Sequence, residues 1–297
     1  MTKLAIILCG RNDNHGGAFI DRLKNSLQWN SHLSEKYQVP TEIFFVEYNP
    51  PADQPKLGEM DIWPKHKYWE THLIEHQDNS GDFVEFKAKN IALTTVNDDH
   101  WVLVTNADIL LPESLFANLN RLNNNAFFLA KRLNTRVIAR SWQTMMKSVD
   151  QYCVKDKIYH RPKFVPHGFY FRLLMVYAKV RLRFYSMSPI ILKPGISILI
   201  KYQFAACGDF MLAKGELWKK IGFYRENTLS NMHVDSLFLV KVISHEIEIN
   251  EISDPILHQH HEHNYNFKKP TESMNKMWQE LIQALEYVEK TGQILKN

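Results

Sequence analysis

The sequence predicts an α/β fold with a mostly parallel central sheet flanked by helices. Over the first 125 or so of the 297 residues, short apolar runs alternate with segments that have apolar residues at helical spacing. This alternation is typical of a parallel sheet covered by helices. The 45% hydrophobic and 23% charged fractions are ordinary for a globular protein. We expect a single domain, residues 1–297, with an inserted or appended lobe after about residue 150.

Four apolar runs in this first part predict strands, and three segments between and after them predict helices. The predicted strands are "LAIIL" (4–8), "TEIFFVEY" (41–48), "DFVEF" (82–86) and "HWVLVTNAD" (100–108). The predicted helices are "GAFIDRLKNSLQWNSHLSEKY" (17–37), "KAKNIALTTV" (87–96), and a segment from Pro112 to about Leu122. No Gly-x-Gly-x-x-Gly follows the first strand, so the dinucleotide-binding fingerprint is missing.

The second part of the chain is less regular until about residue 204. Residues 126–160 predict a strand pair, or a strand and a helix. Beyond residue 204 we predict a strand in "FAACGDFMLA", helices in "KGELWKKIGF" and "MHVDSLFLVKVISH", and a strand in "EIEINEIS". The terminal helix begins at a Thr cap in "PTESMNK" and ends before Gly292.

Residues 157–207 contain nine Lys or Arg and no Asp or Glu, with many aromatic residues among them. This block indicates an anionic partner such as phosphate groups or a membrane surface, or else a solvated basic face. Its segment "GFYFRLLMVYAKVRLRFY" is either a membrane-surface helix or a buried helix whose Lys and Arg reach solvent. We assign residues 126–203 to an inserted lobe that faces the acceptor or a membrane.

Three cysteines without metal-ligand spacing, and an N-terminus without a cleavable signal, favour a reducing compartment. No apolar run has the length of a membrane span. We therefore expect a cytoplasmic protein, with peripheral membrane contact through the basic block as an open alternative.

Polar side chains follow the predicted strands. Arg11 and Asp13 come after the first strand, Glu47 ends the second, and Asp108 follows the fourth. Because carboxyl ends of parallel strands meet in one crevice, these four side chains should converge there. Alone, Asp108 could equally cap the helix near Pro112 or face solvent.

Asp108 would suit Mg²⁺ or Mn²⁺, since these hard cations prefer oxygen ligands. His258 or His261, in "HQHHEH", could add an imidazole ligand, which Mn²⁺ accepts better than Mg²⁺. The same cluster is also compatible with a solvated His-rich loop, and only weakly with a zinc site.

Six segments together resemble nucleotide-sugar-dependent glycosyltransferases of the GT-A fold, near glycosyltransferase family 2. They are "RNDNHGG", "VEYNPP", "AKNIAL", "TNADILLPESL", "CGDFMLAKGELWKKIGFY" and "MHVDSLFLVKV", and they occur in the expected order. The resemblance covers most of the chain apart from about residues 130–200. It implies a GT-A-like fold in which residues 1–125 bind the nucleotide and residues 204–297 form the acceptor and catalytic half.

The resemblance also implies roles for individual residues. Asn106-Ala107-Asp108 matches the Asp-x-Asp motif, so that Asp108 would bind the metal and the donor diphosphate. His258 and His261 match a late metal or phosphate contact. The other implied donor contacts are the nucleoside-binding positions Arg11, Asp13 and Glu47, and the pair Lys89 and Asn90.

Asp235 matches the general base of inverting members, and Asp209 lies where such enzymes contact the acceptor and donor sugar. Asn106 offers only a neutral oxygen in place of the first acid of the motif. Val234 stands where family 2 usually has Glu, which leaves Asp209 as a competing base.

The expected reaction is transfer of a sugar, of hexosyltransferase type, from a nucleotide-diphosphate sugar to an acceptor hydroxyl, assisted by Mn²⁺ or Mg²⁺. The acceptor would be a glycan such as a growing polysaccharide, a lipid-linked glycan or a protein. One alternative is a nucleotidyltransferase, although "CGRNDNHGG" has only one basic residue for a triphosphate. The other is a non-catalytic nucleic-acid or membrane-binding protein that uses the basic block, which leaves the acids at the strand ends unexplained.

Overall fold

The computed structural model describes residues 2–135, 141–147, 153–154, 208–226, 234–261 and 271–295. Most of the predicted lobe, including the whole basic block, lies outside these residues. The expectations for that block, membrane contact included, therefore stay predictions. Within the described part, none of the helices is both long and apolar enough to cross a membrane.

Eleven strands form two sheets in the described part of the chain. In chain order they are β1 (Leu4–Gly10), β2 (Thr41–Tyr48), β3 (Trp69–His76), β4 (Trp101–Thr105), β5 (Ile109–Leu110), β6 (Ala126–Leu129), β7 (Arg132–Thr135), β8 (Cys153–Val154), β9 (Phe210–Lys214), β10 (Glu248–Glu251) and β11 (Ile256–His258). The main sheet has the order β10-β6-β9-β4-β1-β2-β3, and the small sheet has the order β5-β11-β7-β8.

The main sheet is mostly parallel, as predicted. β3, β2, β1 and β4 run parallel to one another, and β10 runs parallel to β6. Only β9 is antiparallel to its neighbours β4 and β6. Because it is reversed, β9 begins at the edge where β1, β2 and β4 end, with Phe210 opposite Thr105.

Seven α-helices accompany the sheets in the described residues. They are α1 (Phe19–Tyr37), α2 (Glu85–Leu93), α3 (Glu113–Asn118), α4 (Trp142–Lys147), α5 (Gly215–Ile221), α6 (Val234–Ser244) and α7 (Glu272–Thr291). Short 3₁₀ turns occupy Leu57–Glu59 and Leu119–Arg121. α5 ends at Gly222, whose φ of 83° is the left-handed conformation that commonly closes a helix.

The apolar core lies on both faces of the main sheet. One cluster packs alternate residues of the central strands against α2, α5, α6 and α7, and the other packs the intervening residues against α1, α3 and α4. β1 shows this division, because Ile7 joins the first cluster while Ile6 and Leu8 join the second. A strand buried on both faces reads as a continuous apolar run, which is why "LAIIL" was recognisable.

The prediction of a third strand at residues 82–86 was wrong. The third strand is β3, and Phe83 and Val84 instead pack beside the core just before α2 begins at Glu85. β3 is the edge strand of the sheet, and its positions after Trp69 are half-buried or exposed, with polar residues such as Glu70, His72 and Glu75 among them. Edge strands commonly carry such residues, which hid this strand from a search for apolar runs.

Candidate active site at the carboxyl edge of the main sheet

The functional side chains gather where β1, β2 and β4 end and β9 begins. The chain passes from β4 directly into β5, and β5 pairs with β11 so that Ile109 lies opposite His258. The small sheet therefore brings the His-rich segment to the end of β4. Asp108 and His258, 150 positions apart in the sequence, meet at this edge through the antiparallel pairing of β5 with β11.

Asp108, His258 and His261 form a compact group of potential metal ligands. The Asp108 Oδ2 atom lies 3.8 Å from His258 Nε2 and 3.5 Å from His261 Nε2. The two imidazole Nε2 atoms are 3.3 Å apart. One atom from each residue lies within 4.8 Å of the other two, and Asp108 and His258 are buried. These are the three residues that the sequence proposed as metal ligands.

A buried arginine stabilises the charge of Asp108. The Arg22 Nε atom lies 3.4 Å from Asp108 Oδ2, and the Arg22 side chain is only 1% exposed. Burial alone would raise the pKa of Asp108, but His258, His261 and Arg22 outweigh it and hold that pKa below its usual value. Asp108 is therefore ionised at neutral pH, the form that a metal requires.

Gln259 joins the segment that carries His258 and His261 both to Asp108 and to α1. Its backbone N–H donates to the carbonyl of Asp108 at 3.1 Å. Its side-chain amide donates to the carbonyl of Arg22 at 2.8 Å and accepts from Asn25 at 3.2 Å. Gln259 is fully buried, so these bonds fix β11 against both α1 and Asp108.

The loop after β1 lies beside this group. Arg22 donates from its guanidinium to the carbonyls of His15, at 2.7 Å, and Gly17. The rings of His15 and His261 have centroids 6.1 Å apart. Arg11 and Asp13, at the start of the loop, form an ion pair of 2.7 Å in which both side chains are partly exposed.

Glu47 forms no hydrogen bond or ion pair with Arg11 or Asp13. Both of its carboxylate oxygens accept from the backbone N–H of Leu57, at 2.9 and 3.0 Å. Burial raises the pKa of Glu47, with backbone N–H groups opposing the shift. Its carboxylate therefore anchors the Pro-rich loop, and its assignment to the nucleoside stays a prediction.

A second polar cluster contains the other half of the Asp-x-Asp match. The Asn106 side chain accepts from Lys89 Nζ at 3.0 Å and donates to Asp209 Oδ1 at 2.7 Å. The other oxygen of Asp209 accepts from Arg132 at 2.5 Å. Asn106 and Asp108 thus serve different clusters, and Asp209 has both oxygens engaged.

Asp235 borders this second cluster. It is half-buried at the start of α6, directly beneath Gly208, where a Cβ would collide with its carboxylate. Burial raises the pKa of Asp235 to about 7, although the charge of Lys89 opposes the shift. For Lys89, burial acts in the opposite direction and lowers the pKa. The negative charges of Glu85 and Asp235 outweigh burial and keep the pKa of Lys89 above its ordinary value.

Asn90 is engaged away from the crevice. Its amide nitrogen donates to the carbonyl of Tyr224 at 2.9 Å, and its oxygen accepts from the N–H of Tyr224 at 3.0 Å. This pair of bonds ties α2 to the segment after α5. Its predicted contact with the donor is untested.

Sequence reasoning missed three residues of the site, namely Arg22, Arg132 and Gln259. One signal was present for Arg22, because Arg22, Ser26 and Asn30 recur every four residues and all face the buried side of α1. A buried polar stripe on a helix indicates partners across the interface. Arg132 and Gln259 had no such pattern in their surroundings.

No protein-family model matches the sequence, and no curated protein matches it. Among solved structures, a mutant of Drosophila β1,4-galactosyltransferase 7 in complex with manganese, UDP-Gal and xylobiose is similar at 11% identity, over 93% of this chain and 79% of that one, with a TM-score of 0.46. Glucosyl-3-phosphoglycerate synthase from Mycobacterium tuberculosis is similar at 13% identity, over 98% of this chain and 81% of that one, with a TM-score of 0.44.

A synthase of another kind is also similar. The 4-diphosphocytidyl-2C-methyl-D-erythritol synthase from Anaerococcus prevotii has 11% identity over 97% of this chain and 99% of that one, with a TM-score of 0.41. Glycosyltransferases are thus among the structures that this chain resembles. Similarity at this level concerns the course of the chain and assigns no activity.

Proposed function

We propose that this protein is a metal-assisted glycosyltransferase, which moves a sugar from a nucleotide-diphosphate sugar to an acceptor hydroxyl. The observation that carries the proposal is the convergence of Asp108, His258 and His261 beside a second cluster that contains Asp209 and Asp235. One cluster suits a cation that binds a diphosphate, and the other offers a carboxylate able to accept a proton.

Asp108, His258 and His261 would hold the divalent cation. One carboxylate and two imidazoles fit Mn²⁺ better than Mg²⁺, which prefers oxygen ligands alone. Three protein ligands leave further positions for phosphate oxygens. When bound, the cation would neutralise charge on the departing diphosphate.

The chain's own residues would prepare the site for that charge. Arg22 keeps Asp108 ionised and fixes the loop that carries His15. Lys89 and Arg132 bind the Asn106–Asp209 pair from two sides, so that its side chains hold one orientation. Fixed donors and charges need no rearrangement during reaction, which is the main advantage of such a site.

Asp235 is the better of the two candidate bases. The acceptor oxygen would bond to the anomeric carbon while the bond from that carbon to the diphosphate breaks, and the acceptor proton would pass to the carboxylate. A base works best when its pKa lies near the working pH, and that of Asp235 is raised to about 7. Asp209 is less suited because Asn106 and Arg132 already occupy both of its oxygens.

The proposal is tested with a panel of nucleotide-diphosphate sugars in MnCl₂, with Mg²⁺ and Zn²⁺ compared. We expect at least one donor to release nucleoside diphosphate together with a glycosylated product, measured by chromatography and mass spectrometry. Chelation should abolish release, and Asp108→Ala should reduce it by about tenfold or more, since it removes the only carboxylate of the ligand group.

Asp53→Ala is the matched control, because Asp53 is an exposed acid. It should keep wild-type turnover. Release of pyrophosphate from a nucleoside triphosphate, without sugar transfer, would identify a nucleotidyltransferase instead. Turnover that survives both chelation and Asp108→Ala would also contradict the proposal.

A further inference from the structure

An open cavity of about 420 Å³ lies beside the later turns of α1. Gln28 and Glu35 line it from α1, Asp61 and Trp63 from the loop before β3, and Trp142 and Gln143 from α4. Its volume falls within the range of roughly 300–1,000 Å³ that small-molecule sites occupy. Nothing in the proposed reaction uses it.

This cavity is separate from the proposed active site. Arg22, which contacts Asp108, lies near the start of α1, while Gln28 and Glu35 come six and 13 residues later. At about 1.5 Å per residue, they lie roughly 9 to 20 Å further along the helix. A ligand here would not touch the Asp108 group.

Two indole rings, together with Ile62 and Pro64, form the apolar part of the wall. Trp142 stacks on His32, with centroids 5.3 Å apart and planes at 24°, and also contacts Trp29 at 5.1 Å. Trp63 packs edge-on against Phe45 at 5.1 Å, and its Nε1 donates to the carbonyl of Leu57 at 2.9 Å. Both indoles are partly exposed and held in place by these contacts.

The polar part of the wall contains carboxylates and amides, together with the Ser31 hydroxyl and the His32 imidazole. Glu35 and Asp61 supply carboxylates, which accept, while Gln28 and Gln143 supply amides, which both donate and accept. Neither carboxylate forms an ion pair with a side chain in the described part of the chain. Two carboxylates without a counter-charge disfavour a phosphorylated or acidic ligand.

We propose that this cavity binds a saccharide that carries no acidic group, at a site distinct from that of sugar transfer. Pyranose rings have apolar C–H faces, which pack on indoles, and a rim of hydroxyls, each both donor and acceptor. The wall matches both features, with Trp63 and Trp142 for the faces and the amides and carboxylates for the hydroxyls. An amine-bearing sugar would in addition meet Glu35 and Asp61.

The test is binding of the full chain to an array of neutral, amine-bearing, uronic-acid, sialylated and phosphorylated oligosaccharides. Titration calorimetry would then follow with the glycan that is retained best. We expect neutral or amine-bearing glycans to bind. Trp142→Ala should weaken binding at least tenfold.

Because Trp142 also packs on α1, a second variant avoids the core. Glu35 and Gln143 are both exposed, so Glu35→Ala/Gln143→Ala should weaken binding at least tenfold with an unchanged melting temperature. Lys147→Ala, an exposed residue on the same helix as Gln143, is the control and should bind as the wild type does. Asp108→Ala should also bind normally, whatever its effect on turnover.

Several results would overturn the proposal. They are no retention of any glycan on the array, retention of acidic glycans alone, and unchanged binding in the double variant. Binding lost in Asp108→Ala but kept in the double variant would assign the saccharide to the proposed active site instead. Since none of these measurements requires turnover, the cavity and the glycosyltransferase proposal can fail independently.

Discussion

Two neighbouring aspartates at the crevice have different surroundings. Asp209 is almost fully buried and accepts from Asn106 and Arg132. Asp235 is half-buried against Gly208, and burial raises its pKa to about 7. Two residues of the same type thus have different environments, and under the proposed function this difference assigns them different roles.

Asp235→Asn should lower turnover by about 10²–10⁴-fold, the usual contribution of a general base. Donor binding, measured by calorimetry with the nucleoside diphosphate, should change little because the amide has the same shape. Asp53→Asn, at an exposed position, is the control. Wild-type turnover in Asp235→Asn would exclude Asp235 as the base and leave Asp209 as the candidate base.

The raised pKa of Asp235 predicts two pH effects of opposite sign. Because a base must be deprotonated, kcat/KM should fall as the pH drops below about 7. Stability should change the other way, since the folded chain binds this proton more tightly than the unfolded chain, whose ordinary pKa is 3.8. The unfolding free energy contributed by this group therefore decreases from about pH 4 to pH 7, and Asp235→Asn should remove that decrease. Urea denaturation at several pH values measures it.

The adjacent residues His260 and His261 offer a matched test of the metal site. His261 belongs to the Asp108 group. The His260 side chain is exposed and lies outside that group, and only its backbone N–H bonds, to the Thr135 hydroxyl. Mn²⁺ at about 100 times its dissociation constant should stabilise the wild type by about 2.7 kcal/mol. Most of this Mn²⁺-dependent stabilisation should be lost in His261→Ala and kept in His260→Ala, as measured by thermal unfolding with and without MnCl₂. Equal responses would contradict the ligand assignment.

At the scale of elements, recognition from sequence depended on whether a segment is buried on both faces. β1, β2 and β4 lie inside the sheet and were predicted correctly from their apolar runs. β3, at the edge, has only Trp69 buried and its other positions half-buried or exposed, and it was missed. The end of α7 at Thr291 was predictable from Gly292, because a glycine commonly follows the last residue of a helix. In the structure Gly292 has a φ of 62°, the left-handed conformation that favours glycine.

The turn before β9 has a glycine that the site itself requires. Gly208 has φ 89° and lies against the Asp235 carboxylate, whereas Gly81 has φ 69° and open space around it. Alanine at Gly81 should cost about 1–2 kcal/mol of stability, the penalty for a left-handed backbone. Alanine at Gly208 should cost more, because its Cβ would also collide with the Asp235 carboxylate. Only Gly208→Ala should also displace Asp235 and lower turnover. Denaturation and kinetics on both variants would measure this, and equal turnover would show that Asp235 does not depend on the turn.

At the scale of the whole molecule, the site depends on the pairing of β5 with β11, which joins the end of β4 to the C-terminal part of the chain. The parallel topology predicted that Arg11, Asp13, Glu47 and Asp108 would meet. His258 and His261 were expected at Asp108 from ligand chemistry and from the resemblance, and they reach it through the antiparallel pairing of β11 with β5. Glu47 was expected to lie with Arg11, Asp13 and Asp108. Its carboxylate accepts from the N–H of Leu57, and its role toward the nucleoside stays a prediction. Such a backbone partner leaves no signature in the sequence, and neither do the contacts of Gln259.

Gln259 should therefore affect both the stability of the fold and the binding of Mn²⁺ by His258 and His261. Its side chain bonds Asn25, Arg22 and Ser26 on α1 from a position more than 230 residues later in the chain. Gln259→Leu keeps much of the volume but leaves buried polar groups on α1 unsatisfied, which costs about 1–3 kcal/mol. Because the same segment carries His258 and His261, Mn²⁺ binding should weaken as well. Gln283→Leu, at an exposed position of α7, should leave both quantities unchanged. Urea denaturation and Mn²⁺ titration measure the two effects, and a Gln259→Leu variant that loses stability yet binds Mn²⁺ normally would show that the ligand group forms without this anchor.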